Sequence, residues 1–289
     1  MKRNEPLSKH TTFKIGGPAE FYVEPKTVEE IKEALRFAKQ KRKKFLFLGN
    51  GSNLLVSDKR FNGVVIRPRM SRAVAPRLRS GQASGESVEV ESGVSIAQLL
   101  DLLAKKGLTG LEFMTGIPGC VGGAVAMNAG VGDRWLGLWV VRVWALDKSQ
   151  NIKVKSQKEC KFGYRKSVFQ KGNLVITKVE FKLKKGNPKA IKDTIKKIWK
   201  ARLAKQPYDL PSAGSFFKNP KGKFAGQLID EAGCKGMRVG DAEVSTKHGN
   251  FIVNRGKARA SDVLKLANRV QRKVKDKFGI KLQPEVKVL

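Results

Sequence analysis

Histidine is almost missing from this sequence. With only His10 and His248, no HExxH motif can be written, and a Ser-His-Asp arrangement has just two candidate bases. Metal-dependent hydrolysis and triad hydrolysis are therefore poorly supplied. Cysteine is nearly as scarce. Cys120, Cys160 and Cys234 are odd in number, far apart and without a CxxC pair, which argues against a disulfide framework and a structural zinc site. No apolar run approaches the roughly 20 residues of a membrane-spanning helix. The opening Met1–Pro6 has no hydrophobic stretch behind its charges, so no secretory signal is visible. The expectation is a soluble, cytoplasmic protein with no membrane span. The absence of a GxxxxGK[ST] pattern lowers the case for an ATPase.

Acidic side chains are also in short supply. The chain of 289 residues has 25 Asp and Glu against 59 Lys and Arg, a net charge of +34. Such a balance is the footprint of a nucleic-acid binder, but its distribution reads differently. The net charge is +10 over residues 1–72, +8 over 73–184 and +16 over 185–289. A surplus spread over every segment is that of a generally basic surface, so no specific nucleic-acid site is expected. Anionic ligands such as diphosphates still gain from it.

The length suits two or three domains with substantial cores. Thr27 and Glu30 read as a capping box for a helix to about residue 40, and Ser95 and Gln98 as a second box for a helix that Gly107 ends. Apolar runs predict strands at 45–48, 54–56, 64–66, 88–91, 140–146, 174–177 and 251–253. Lys184–Pro188 punctuates the chain. After it come a basic amphipathic helix over about 189–204, read as a core-facing surface helix, a helix at 224–232 ended by Gly233, and a long helix from 261 to 278. The last residues, Leu282–Leu289, read as extended.

Four stretches could carry chemistry. Gly49-Asn50-Gly51-Ser52-Asn53 joins two strands. Its closely spaced glycines let backbone N–H groups converge on a diphosphate; a tight hairpin turn accounts for it equally well. Gly116–Gly130 is dominated by small residues, which suits either a large ligand lying against the backbone or a helix packed closely on a sheet. Gly163-Tyr164-Arg165-Lys166-Ser167 offers a guanidinium for a carboxylate or a developing oxyanion, or simply a surface charge. Pro211-Ser212-Ala213-Gly214-Ser215-Phe216-Phe217-Lys218-Asn219-Pro220 combines turn formers with hydroxyl, ammonium and amide groups. Glu285, an acid in an acid-poor chain, suits a buried general acid or an ion pair.

In this order these stretches resemble the MurB flavoenzymes, the UDP-N-acetylenolpyruvoylglucosamine reductase family of peptidoglycan synthesis. The resemblance also includes His10–Ala19, Leu54-Leu55, Phe162 and Pro284-Glu285-Val286, and so covers nearly the whole chain. It implies an α+β fold: a two-lobed FAD-binding domain of the vanillyl-alcohol-oxidase-like type over residues 1–184, with lobes of about 1–71 and 72–184. A smaller α+β substrate-binding domain would follow over 185–289. It further implies noncovalent FAD, held by Gly49, Asn50, Gly51, Ser52, Asn53, Leu54, Gly116, Ile117, Pro118, Gly119, Gly122, Gly123 and Ala124. NADPH would be the reductant and UDP-N-acetylglucosamine enolpyruvate the substrate of a monomeric enzyme. By the same resemblance, Arg165 and Glu285 would stabilise the charge that develops after hydride transfer, and Ser215 would deliver the proton. Tyr164, Lys205, Lys218, Asn219 and His248 stand where the family binds the UDP-sugar. Val131–Trp135 departs from the usual family pattern, Gly249 stands where Ala is common, and no long tyrosine-bearing insertion lies between Tyr164 and Ser215, as in the shorter form of the family.

Overall fold

The computed structural model describes residues 1–77 and 86–289. Among these, six α-helices form: α1 (Val28–Gln40), α2 (Ile96–Lys106), α3 (Val121–Ala126), α4 (Pro188–Lys205), α5 (Ala225–Glu231) and α6 (Ala260–Phe278). No helix among the described residues is long and apolar enough to cross a membrane.

Local chemistry sets the helix ends. The Thr27 hydroxyl accepts from the Glu30 amide at 3.1 Å, while Glu30 Oε2 reaches past Thr27 to the Lys26 amide at 2.7 Å. On α2 the box is reciprocal: the Gln98 amide donates to Ser95 Oγ, and the Ser95 amide to Gln98 Oε1. Gly107 ends that helix with φ +66°, a conformation only glycine adopts without strain. The first amide of α6, that of Ala260, donates to the Asp58 carboxylate at 2.9 Å, so a residue two hundred positions earlier supplies the anion at this helix start. On α4 a core-facing reading holds for Ile191, which is buried, and Ile195, which packs against the core. Trp199 and Leu203 stay exposed.

The chain folds into two compact units. The first comprises Met1–Tyr22, Asn50–Val64 and Arg202–Leu289; the second comprises Val23–Gly49 and Val65–Ala201. Both are discontinuous, so compactness divides the chain by a different criterion from a single boundary after residue 184.

In the second unit, strands Ile152–Ser156, Val140–Leu146, Val175–Lys185, Glu86–Glu91 and Ala73–Arg77 lie side by side in that order, each antiparallel to its neighbours. Val175–Lys185 is central and long. Its Val179, Phe181 and Leu183 join Leu99 and Leu103 of α2 and Val121 and Val125 of α3 in one core.

In the first unit, a second antiparallel sheet runs in the order Ser212–Ser215, Phe251–Asn254, Ala242–Val244, Arg238–Val239. The apolar faces of α5 and α6 share a core with Phe13, Ile15, Leu55, Phe216 and Phe217. Each buried phenylalanine stabilises the fold by about 1.5–3 kcal/mol. Asn250 fastens this pair of phenylalanines. Its carbonyl accepts from the Phe216 amide at 2.8 Å, its Oδ1 accepts from the Phe217 amide at 2.9 Å, and its Nδ2 donates to the Phe217 carbonyl at 2.8 Å. Asn250 is itself buried. The substitution Asn250→Ala orphans two buried backbone groups and is expected to lower stability by about 3 kcal/mol. Urea unfolding measures this; a loss below about 1 kcal/mol would mean that water or a rearranged loop replaces the amide.

Candidate functional site

The loop from Gly49 to Asn53 is shaped by contacts that only small residues permit. Gly51 has φ +62°, and a Cβ there would collide with the His10 carbonyl oxygen. Thr12 holds the same glycine from the other side, its amide and its Oγ1 both donating to the Gly51 carbonyl, at 3.2 and 3.3 Å. The amides of Asn50, Gly51, Ser52 and Asn53 donate to none of the described residues. A run of open backbone N–H groups pinned in a fixed curve is an anion cradle, which favours that reading over a plain hairpin turn.

The second glycine-rich segment satisfies both of its sequence-level readings, at different residues. Gly122 is a packing glycine: a Cβ there would lie 2.8 Å from Ser92 Cβ, and its amide donates to the Ser92 carbonyl. This close approach seats α3 on the sheet. Just before α3, the Gly119 carbonyl accepts from the Ile96 amide, and the Val121 amide donates to the Val94 carbonyl. The intervening Gly119 and Cys120 amides have no acceptor among the described residues. Gly49, which belongs to this same unit, would carry a Cβ 3.0 Å from Cys120 Sγ, so the start of the first loop and this segment touch with room only for hydrogen. These open amides and excluded Cβ positions fit the phosphates and flat ring of a dinucleotide such as FAD.

Arg165 sits in a two-residue turn closed by reciprocal bonds between Gly163 and Lys166 at 3.0 and 3.1 Å. Its φ is +51°, a strained value of about 1–3 kcal/mol for a residue with a side chain. The surroundings hold it there. Asn128 Nδ2 donates to the Gly163 carbonyl and Gln170 Nε2 to the Arg165 carbonyl. The guanidinium donates to the Gly130 carbonyl at 3.1 Å and lies 5.2 Å from the centre of the exposed Tyr164 ring. The atypical Val131–Trp135 segment forms a short hairpin, Gly130–Val131 with Arg134–Trp135, beginning at the residue that orients Arg165.

In the first unit, Ser215 ends the strand Ser212–Ser215 opposite Phe251. Gly214, at φ +75°, interrupts the register. The two serines differ in their partners. Ser212 Oγ accepts from the Gly214 amide at 3.4 Å, whereas the half-buried Ser215 hydroxyl has no partner among the described residues. The Glu285 amide donates to the Phe216 carbonyl at 2.8 Å, and Phe217 bridges Pro284. Ser215 and Glu285 are thus on adjacent extended segments. The Lys218 amide continues the pairing to the Gln283 carbonyl.

The remaining expected substrate contacts are placed unevenly. Lys218 is half-buried beside this ladder. Asn219 is exposed, and its Oδ1 accepts from the Ala225 amide at 3.0 Å, so it serves the start of α5. His248 Nδ1 accepts from the Asn250 amide, and its ring meets Phe251 edge-on at 4.9 Å, which joins it to the Ser215 strand. Burial pushes its pKa down from 6.5. Lys205 is exposed at the end of α4, and nothing described ties it to the others. Sequence reading missed Asn250, Asn128 and Gln170, which hold the loops. Asn128 lies within the Met127–Gly130 motif, but Asn250 and Gln170 have no local signal because their partners are distant in sequence.

Open-amide loops on an α+β scaffold are the features expected of a dinucleotide-dependent enzyme of the flavoprotein class. Residues 19–143 match the family model for an FAD binding domain, and residues 206–289 match that for the UDP-N-acetylenolpyruvoylglucosamine reductase C-terminal domain. The reductase of Carboxydothermus hydrogenoformans is 43% identical over 99% of this chain and 93% of its own, and that of Caldanaerobacter subterraneus subsp. tengcongensis is 41% identical over 99% and 92%. The crystal structure of the Thermus caldophilus reductase (MurB) superposes with a TM-score of 0.80 at 40% identity, covering 98% of this chain and 97% of that one. The chain belongs to the UDP-N-acetylenolpyruvoylglucosamine reductase family.

His248 also gives a pH prediction. Its folded pKa lies below its unfolded one, so the unfolded chain takes up the proton first as pH falls. The stability that neutral His248 contributes is complete above the unfolded value, near 6.5, and is lost as pH drops toward the lower folded value. The expected slope is part of about 1.4 kcal/mol per pH unit, since the ring is only half-buried. Urea unfolding at pH 7 and pH 5 should show a smaller acid loss in His248→Gln than in the parent.

Proposed function

We propose that this chain reduces the enolpyruvyl double bond of UDP-N-acetylglucosamine enolpyruvate to give UDP-N-acetylmuramate. NADPH is the electron source, and the setting is peptidoglycan precursor synthesis in the cytoplasm. Residues 1–184 form the FAD-binding domain and 185–289 the sugar-nucleotide domain. The observation that carries this reading is the Ser215 hydroxyl, without a partner among the described residues, next to the Phe216 that pairs with the Glu285 segment, within a chain that matches the family over 99% of its length.

Gly49–Leu54 and Gly116–Ala124 would hold the FAD, which, when bound, would supply the hydride for the double bond with electrons drawn from NADPH. Addition at the terminal carbon leaves negative charge next to the carboxylate, where it spreads into an enolate. Arg165 sets a permanent positive charge against that enolate; its carbonyl and guanidinium are already bonded, so little reorganisation is needed as charge develops. Glu285 donates a hydrogen bond from its acid form to the same group. Ser215 protonates the carbon beside the carboxylate. A hydroxyl is a weak acid, so the step depends on its fixed position and on rapid reprotonation. Lys218 and Lys205 meet the diphosphate as cations, and Tyr164, Asn219 and His248 contact the nucleotide sugar.

The purified protein should be yellow, or become so with FAD, and should bleach under NADPH without oxygen. A colourless protein that cannot be reconstituted with FAD overturns the proposal. In Ser215→Ala, flavin reduction by NADPH should persist, while flavin reoxidation by the enolpyruvyl substrate should slow by about 10²–10⁴-fold. Stopped-flow absorbance separates the two half-reactions. Full-speed reoxidation would remove Ser215 as the proton donor.

A further inference from the structure

One residue of the FAD loop is bonded directly to the segment that carries Glu285. Asn53 Nδ2 donates to the Glu285 carbonyl at 3.3 Å. The connection continues from there: the Lys287 amide donates to the Asn53 carbonyl at 3.1 Å, the Leu289 amide to the Leu55 carbonyl at 3.0 Å, and the Ser57 amide to the Leu289 carbonyl at 2.8 Å. Lys287–Val288 and Leu54–Leu55 form a parallel pair. On its other side, the Glu285 segment is bonded to Phe216, next to Ser215. Glu285 therefore sits between two anchors, the proton-donor strand and the FAD loop, and the Asn53 side chain bonds to its backbone from the loop.

We propose that Asn53 is a positioning residue for Glu285. Its side chain sets the carbonyl of Glu285, and through it the direction of the carboxyl group, while its backbone amide has no acceptor among the described residues. The loop, held in its curve by the Thr12 bonds to Gly51, would then fix the acid that the enolate needs. This inference rests on the catalytic reading of Glu285 given above and assigns Asn53 a task separate from holding FAD.

The test is a double-mutant cycle on the FAD-saturated enzyme, with reoxidation of the reduced flavin by the enolpyruvyl substrate as one readout and FAD affinity, from flavin fluorescence, as another. Asn53→Ala should slow reoxidation by about ten- to a hundredfold, the range a small misplacement produces. In a Glu285→Ala background the same change should cost less than about twofold, because the side chain it positions is already gone. Should Asn53→Ala fold poorly, Asn53→Ser, which also cannot reach the Glu285 carbonyl as the amide does, provides the same comparison. Equal slowing in both backgrounds, or slowing of flavin reduction and reoxidation together, would mean that Asn53 acts on the flavin alone and overturns the inference. Unimpaired reoxidation in Glu285→Ala would instead overturn the catalytic reading of Glu285. Weaker FAD binding with full-speed reoxidation at saturating FAD also overturns the positioning role.

Discussion

The first unit depends on a backbone ladder. Residues 283–289 bond on one side to Phe216 and Lys218 and on the other to Asn53, Leu55 and Ser57. Each bond is worth only about 1 kcal/mol net, but together they place Ser215, Glu285 and the loop that carries Asn50–Asn53 in one fixed arrangement. The two phenylalanines beneath the ladder are almost fully buried, and Asn250 closes their backbone bonds. Side chains at such a site owe their positions to neighbouring backbone, which cannot move without exposing unpaired N–H and C=O groups.

The second unit solves a related problem with strain. Arg165 occupies a left-handed conformation that favours glycine. Bonds from Asn128 and Gln170 hold the turn carbonyls, and Gly130 receives the guanidinium. These bonds hold the turn and its guanidinium in place within the unit. The glycines work by exclusion. Gly51 against the His10 carbonyl and Gly122 against Ser92 mark places where a methyl group would collide, and a Cβ at Gly49 would lie 3.0 Å from the Cys120 sulfur.

The local features were legible in the sequence. The Thr27 cap, the capping box at Ser95, the stop at Gly107 and the apolar stripe of α6 follow from interactions within a few residues. The order of the glycine-rich segments, the 211–220 stretch and Pro284-Glu285-Val286 was enough to recognise the family. Elsewhere the reading was incomplete. The Glu30 carboxylate reached Lys26 and not Thr27, α4 left Trp199 and Leu203 exposed, and the anion at the start of α6 came from Asp58.

The sequence by itself determined which residues could do chemistry here: a hydroxyl, a carboxyl, a guanidinium and two sets of glycines, in a chain with too few histidines and cysteines for the common alternatives. It did not separate Ser212 from Ser215, or show that Gly122 packs while Gly119 and Cys120 leave amides open. Those distinctions belong to the tertiary structure. A hydrogen bond such as Asn53 to Glu285 joins residues 232 positions apart, and whether a polar group is satisfied or available depends on which distant backbone folds against it.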